Sequence, residues 1–316
     1  MPLPLEKIRA VKIIVAHDYC PDGVAGALLL KNVLPDAKVI FCQYSTPEHA
    51  ALVAEPDMLF VDFSPPKDRV QEFVGAGAMV LDHHKAAKDV VRAFGELGVF
   101  ADEKEEPGVS GASLAFREVW SRLTTEKPRD SFYQWVERFA RLAGIRDTWQ
   151  KMNPNWEQAC VQSYALHFAP QETWLKIGLF NMWMKWHRYD WVGTISAQKH
   201  LRAVERVVEK GMWHTNARGT IMCVFQGTKL SSDAAEASGA EKADLICGFD
   251  VVYEGGKAKY LYSTRSRKSF NCMALAQTYG GGGHLRAAGF NIVEPKGDPY
   301  SVFIGSVEMF ESTNLK

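Results

Sequence analysis

The sequence predicts an α/β protein in two parts: an N-terminal parallel-sheet α/β domain with a helical insertion, linked to a smaller mixed α/β C-terminal domain. Three observations lead there. Short apolar runs alternate with helically spaced segments up to about residue 100. Between Gly111 and Gly211 helical patterns dominate. Strands then return, two of them separated by the hairpin signal Glu254-Gly255-Gly256.

Element by element, VKIIVA (11–16), KVIFC (38–42), MLFVDF (58–63) and AMVLD (78–82) read as buried strands. Helical spacing occupies 23–33, 67–74 and 87–94 between them, the rhythm of a parallel sheet covered on both faces. The insertion offers helices at 113–123, 131–145, 155–167, 171–185 and 196–209. Eight of the nine tryptophans lie in this stretch, from Trp120 to Trp191, with Trp213 just beyond it, and they are read as packing between helices ahead of stacking platforms for bases. Strands at 220–225, 243–253 and 257–265, a helix at 271–279, a glycine run, a strand at 287–293 and a last helix complete the chain. The expected division is a metal-binding domain over 1–195, a connector helix over 196–212 and a substrate-binding domain over 213–316.

The bulk numbers narrow the partners. A chain of 316 residues, 47% hydrophobic and 23% charged, is long enough for two cores. Lys+Arg and Asp+Glu both total 37, so the formal charge is zero. Bulk electrostatic grip on long nucleic acid needs a basic face, whereas a local pocket suffices for a short or cyclic oligonucleotide. The N-terminal apolar run is too short for a signal peptide or a membrane span, and no later stretch is long enough. The six cysteines include no CxxC pair, as expected of reduced thiols in the cytoplasm. A homodimer is left open.

Acidic and histidine side chains recur where the strands should end: His17-Asp18-Tyr19-Cys20-Pro21-Asp22-Gly23, then Asp62, then Asp82-His83-His84, with Asp147 at the end of a helix. One Asp at a strand end is ordinarily a helix cap. Four such places in one sheet domain can converge, and carboxylates mixed with imidazoles suit manganese, iron or magnesium. Two such ions can clamp the attacking and leaving oxygens of a phosphoryl displacement. Ser110-Gly111-Ala112-Ser113 reads as a helix cap, and His187, His200 and His214 lie outside the converging set.

Asp82-His83-His84 after an apolar strand, with Asp62 and a His-x-x-x-x-Asp-Gly cluster upstream, resembles the DHH phosphoesterase superfamily. The run Gly280-Gly281-Gly282-Gly283-His284-Leu285-Arg286-Ala287-Ala288-Gly289-Phe290 is similar to that superfamily's associated C-terminal domain. The resemblance implies a hydrolase with a divalent metal pair, manganese first. Asp62 would bridge the two ions, with His17 and position 20 serving one, and Asp22, His83 and Asp147 the other. His84 would face the phosphate and protonate the leaving oxygen, and Asp82 would orient the histidines. Arg265, Arg267, Asn271, Gly281, Gly282, Gly283 and His284 would hold the nucleotide, with the active site in a cleft between the domains.

One position departs from the pattern. Cys20 stands where the family commonly has Asp. It can ligate as a thiolate, favouring zinc or iron over magnesium. Alternatively Asp18 substitutes for it, or one metal binds weakly. The expected activity is a phosphodiesterase releasing nucleoside monophosphates from short oligonucleotides or cyclic dinucleotides. The alternatives are a phosphomonoesterase acting on a bisphosphorylated nucleotide or polyphosphate, and a nucleotide-binding sensor with a degenerate metal site.

Overall fold

The computed structural model describes residues 2–44, 46–102 and 104–314. Two compact units divide at Ala197/Gln198, inside the helix Trp186–Glu209. Among the described residues no helix is long and apolar enough to cross a membrane.

The first unit is built on five parallel strands: β1 (Ile13–His17), β2 (Lys38–Cys42), β3 (Met58–Val61), β4 (Met79–Asp82) and β5 (Gly98–Phe100), in the order β2-β1-β3-β4-β5. Alternation along the strands feeds two cores. Ile14, Ala16, Leu59, Val61, Met79 and Leu81 pack with the helices Pro21–Val33, Gly111–Ala115 and Ser131–Asp147 on one face. Val15, Phe60 and Val80 pack with Val70, Phe73 and Val91 on the other. After β2 the chain returns to the opposite side of β1 to form β3. The carboxyl ends of β1 and β3 therefore lie at a topological switch point, where open α/β sheets bind their ligands.

The structure differs from the sequence reading in informative places. The third strand stops at Val61, because Asp62 turns into the left-handed region at φ 55°, which Asp tolerates better than most residues. The expected helix over 171–185 is two, Gln171–Ile177 and Leu179–Met184, broken by Gly178 at φ 73°. The helix expected from 196 begins at Trp186. The segment over 113–123 begins at Gly111 and contains a π turn at Phe116–Trp120. Several tryptophans pack helices as expected. Trp120 is fully buried with its indole N–H on Asn32 at 2.8 Å, and Trp174 donates to the Leu166 carbonyl at 2.8 Å.

The second unit is a six-stranded mixed sheet: β6 (Met212–Thr215), β7 (Ile221–Gln226), β8 (Leu245–Glu254), β9 (Lys257–Arg265), β10 (Gly282–His284) and β11 (Ala287–Val293). Their order is β10-β11-β9-β8-β7-β6, with only β7 and β8 parallel. The helices Cys272–Thr278 and Pro299–Asn314 cover one face through Leu275, Phe303 and Val307. Val204 and Val208 cover the other.

Candidate metal centre

The switch point gathers the acidic and imidazole groups of the first unit. His17 closes β1, Asp82 closes β4, and Asp62 follows β3. Asp22 lies in the first turn of Pro21–Val33, and Asp147 is the last residue of Ser131–Asp147. Close backbone contact fixes this convergence. A Cβ on Gly23 would stand 2.4 Å from the His17 carbonyl oxygen, and one on Gly111 would stand 2.3 Å from Asp62 Cβ. Glycine at both positions lets two helix starts reach the strand ends. Ser110 caps the second of these helices reciprocally with Ser113.

Three groups of donors form, each with its ligand atoms within 4.8 Å of one another: His17, Cys20 and Asp62; Asp22, His83 and Asp147; and Asp62, His83 and His84. Asp62 is completely buried and shared. Its Oδ1 lies 3.1 Å from His83 Nε2, and its Oδ2 lies 3.3 Å from His17 Nδ1. His83 Nε2 is also 3.3 Å from Asp147 Oδ2.

Among the described residues, three buried atoms of this cluster make no hydrogen bond: Asp22 Oδ2, and His17 Nδ1 and Asp62 Oδ2, which face each other at 3.3 Å. Leaving such groups without a hydrogen bond costs about 1–3 kcal/mol each, a cost that a cation bound among them would offset. Burial and the neighbouring Asp62 and Asp147 push the Asp22 carboxyl well above its ordinary range, and burial and Asp62 raise Asp147. Burial opposes ionisation of Asp62 too, yet the His17 and His83 contacts hold it far below the carboxylate range. His83 is raised to about 10 by Asp62, Asp147 and Asp22 in spite of its burial. Mutually repelling carboxylates with imidazoles between them are a donor set that a divalent cation pair fits.

The two histidines of the Asp82-His83-His84 segment point to different partners. His84 Nδ1 is 2.7 Å from Asp82 Oδ1, which also accepts from the His83 and His84 backbone N–H groups at 2.7 and 3.0 Å. With Nδ1 engaged, Nε2 is the ring atom left for a ligand; about a third of the side chain is exposed. His84 is raised to about 9 by Asp82 and Asp62 against its burial.

Sequence reasoning missed three supporting residues. Gln43 Oε1 lies 3.1 Å from His17 Nε2 and accepts from Tyr44 N–H at 2.9 Å, which fixes the amide as acceptor and leaves His17 Nδ1 as the lone-pair atom. Ser64 Oγ donates to Asp82 Oδ2 at 2.5 Å, and Tyr44 Oη reaches the same oxygen at 3.3 Å. The usable signal was position: all three follow strand ends.

Cys20 ends the loop after β1, and its thiol donates to Asp147 at 3.9 Å. Burial and the carboxylates of Asp62, Asp147 and Asp22 hold its pKa well up. The Asp18 carboxylate is bonded to Tyr19 N–H at 2.9 Å and to the Gln171 amide, and it belongs to none of the three donor groups.

In the second unit Arg265 is committed internally. Its Nε donates to Ser232 Oγ at 3.0 Å, and its Nη1 to Ser263 Oγ at 3.1 Å and to the Thr264 carbonyl at 2.8 Å. Arg267 is exposed. Asn271 caps the following helix, accepting from Ala274 N–H at 2.9 Å. Gly281 and Gly283 pack against β11, where added Cβ atoms would lie 2.2 Å from the Gly289 carbonyl oxygen and 2.5 Å from that of Ala287. A Cβ on Gly282 would meet nothing within 4 Å. His284 belongs to β10, and its side chain lies outside the described residues.

Scanned against protein-family models, the chain matches none. An uncharacterized protein of Acanthamoeba polyphaga mimivirus is 22% identical over 314 residues, covering 91% of this chain and 69% of the relative. Among solved structures, the DHH domain of a protein from a family of ribosomal proteins superposes with TM-score 0.58 at 12% identity, over 98% of this chain and 88% of that one. The exonuclease RecJ bound to manganese superposes with TM-score 0.54 at 16% identity, over 99% and 95%. CDC45 from Entamoeba histolytica gives TM-score 0.50 at 9% identity, over 96% and 95%. At these identities the likeness is one of fold. The chain shares its fold with the DHH domain and with the exonuclease.

Proposed function

We propose that the protein is a phosphoesterase whose Asp and His cluster holds a divalent metal pair, manganese first, and that it hydrolyses short oligonucleotides or cyclic dinucleotides to nucleoside monophosphates. The observation carrying this reading is the shared, fully buried Asp62 between two donor groups. The fold likeness to an exonuclease bound to manganese agrees with it. Zero formal charge favours short substrates over long nucleic acid.

In this reading His17, Cys20 and Asp62 hold one ion, and Asp22, His83, Asp147 and Asp62 the other. A bound pair supplies a hydroxide nucleophile at neutral pH and draws charge off the phosphoryl oxygens. The protein's own groups do the rest. Gln43 presents His17 by the correct nitrogen. Asp82, held by Ser64 and Tyr44, accepts from His84 Nδ1 and stabilises the doubly protonated ring, so that Nε2 carries a proton to give. As the water oxygen bonds to phosphorus, the bond from phosphorus to the leaving oxygen breaks, and that oxygen takes the proton of His84 Nε2. Arg267 and the open backbone at Gly282 are assigned to the substrate, with Arg265 and Asn271 shaping that region.

The test is product analysis. Manganese-loaded protein is incubated with dinucleotides, cyclic dinucleotides and 3′,5′-bisphosphates. Nucleoside monophosphates from the first two classes support the reading. Turnover confined to bisphosphates refutes the diesterase assignment, and binding without turnover of any compound refutes the enzyme.

A further inference from the structure

His84 is also a wall of a cavity of about 660 Å³ in the first unit. That volume falls within the roughly 300–1,000 Å³ range of small-molecule sites. The cavity opens among the segments that follow β2, β3 and β4, and of the metal-ligand cluster only His84 lines it.

Its chemistry is selective. Pro47, Pro65, Pro66, Ala87 and Val90 give it apolar walls. Two rings stand among them, Tyr44 and His49, edge to face with centroids 5.5 Å apart, and Tyr44 meets His84 edge to face at 6.1 Å. Most polar groups of the lining are already engaged. Tyr44 Oη serves Ser64 N–H and Asp82, and the Thr46 hydroxyl donates to the Gln43 carbonyl at 2.9 Å. His49 Nε2 lies 3.1 Å from the Ser64 carbonyl oxygen, so this nitrogen carries the proton and Nδ1 is left as an acceptor. Among the described residues of the lining, Lys67 is the one cationic side chain apart from the histidines, and Asp68 is next to it.

A polyphosphate or second phosphate would need several cations or converging N–H groups, and these walls do not provide them. A flat heterocycle with an N–H edge matches apolar walls, two ring edges and one nitrogen acceptor. We propose that this cavity is the subsite for the nucleobase on the leaving side of the scissile phosphate, seated beyond His84 and contacted by Tyr44 and His49. The proposal rests on the phosphodiesterase reading above and adds to it: the enzyme selects substrates by what departs.

The experiment narrows the cavity from its exposed rim. Ala50 and Ala86 both line it and both are exposed, so Ala50→Trp and Ala86→Trp fill space without entering a core. Two substrates are compared on manganese-loaded protein: a dinucleotide, and the methyl diester of the same nucleoside monophosphate, which has no leaving base. The ratio of their kcat/KM values is independent of the active fraction, so misfolding cannot change it. The expected result is a fall in that ratio of at least ten-fold in both variants. An unchanged ratio overturns the subsite. Calorimetric binding of the dinucleotide is read in parallel. If wild type binds but releases no product, the enzymatic reading fails, and the subsite stands or falls on whether the two variants weaken binding ten-fold or leave it unaltered.

Discussion

Gly111 and Asp62 touch backbone to backbone: a Cβ placed on Gly111 would come within 2.7 Å of Asp62 Cα and 2.8 Å of its amide nitrogen. Neither atom can yield without moving the carboxylate at the centre of the cluster. The first prediction follows from this contact. Gly111→Ala, overpacked by about 1–3 kcal/mol, will lower the thermal midpoint and abolish manganese binding. A variant that binds manganese like wild type would show that the contact does not position Asp62.

The two adjacent histidines separate experimentally. His83 meets both Asp62 and Asp147, whereas His84 is tied to Asp82. His83→Ala will lose bound metal, while His84→Ala will keep it and lose at least 100-fold in kcat, the scale of general acid catalysis (about 10²–10⁴). Elemental analysis of both variants decides, and equal metal loss would reverse the roles.

Cys20 is the unusual member of the cluster, and its neighbours give its test a direction. Because Asp18 is held by Tyr19 and Gln171 outside the donor groups, Asp18→Ala will leave metal binding within about two-fold of wild type on the 1.4 kcal/mol per decade scale. Cys20→Ser will weaken one site, and Cys20→Asp will shift preference toward manganese or magnesium. Calorimetric titration of each variant checks this. A silent Cys20→Ser with a damaging Asp18→Ala would assign the ligand to Asp18 instead.

Much of this arrangement was legible in the sequence, and the exceptions have physical causes. The buried strands of the first sheet announce themselves as apolar runs because both faces are covered. β5, with its three half-buried residues, and the largely exposed edge strand β6 carry no such run. Asp62, Asp82, His83 and His84 were marked by their place after strands. Gln43, Tyr44 and Ser64 stood at comparable places but have ordinary polar identities that no spacing rule singles out. The contact of Arg265 with Ser232, 33 residues away in sequence, was not legible.

That internal pairing makes a prediction for the second unit. Arg265→Ala leaves the Ser232 and Ser263 hydroxyls without their donor and will destabilise the fold by about 1–3 kcal/mol. Arg267→Ala removes an exposed side chain, so it will leave stability within about 0.5 kcal/mol while raising KM for dinucleotides. Denaturant unfolding and steady-state kinetics on the pair separate the two roles. A stable Arg265→Ala with raised KM would return that residue to the substrate.

Proton competition gives metal binding a sign in pH. His83 is raised from 6.5 to about 10, so in the metal-free protein it is protonated at neutral pH. Its charged contacts with Asp62 and Asp147 therefore stabilise the metal-free fold fully below pH 6.5, and that contribution is lost as pH rises through about 10. A metal must displace the proton, so manganese affinity will rise with pH and binding will release protons. Calorimetry in two buffers of different ionisation enthalpy measures the release, and identical heats would contradict it.

Whether Asp62 joins two metal sites is read from a manganese titration of wild type and Asp62→Ala by calorimetry, with dinucleotide hydrolysis followed on the same samples. A bridging Asp62 gives two ions per wild-type chain, loss of both high-affinity sites in Asp62→Ala, and hydrolysis below about one percent of wild type, given the several kcal/mol that metal ions supply. Retention of either site at wild-type affinity, or of substantial hydrolysis, would contradict it.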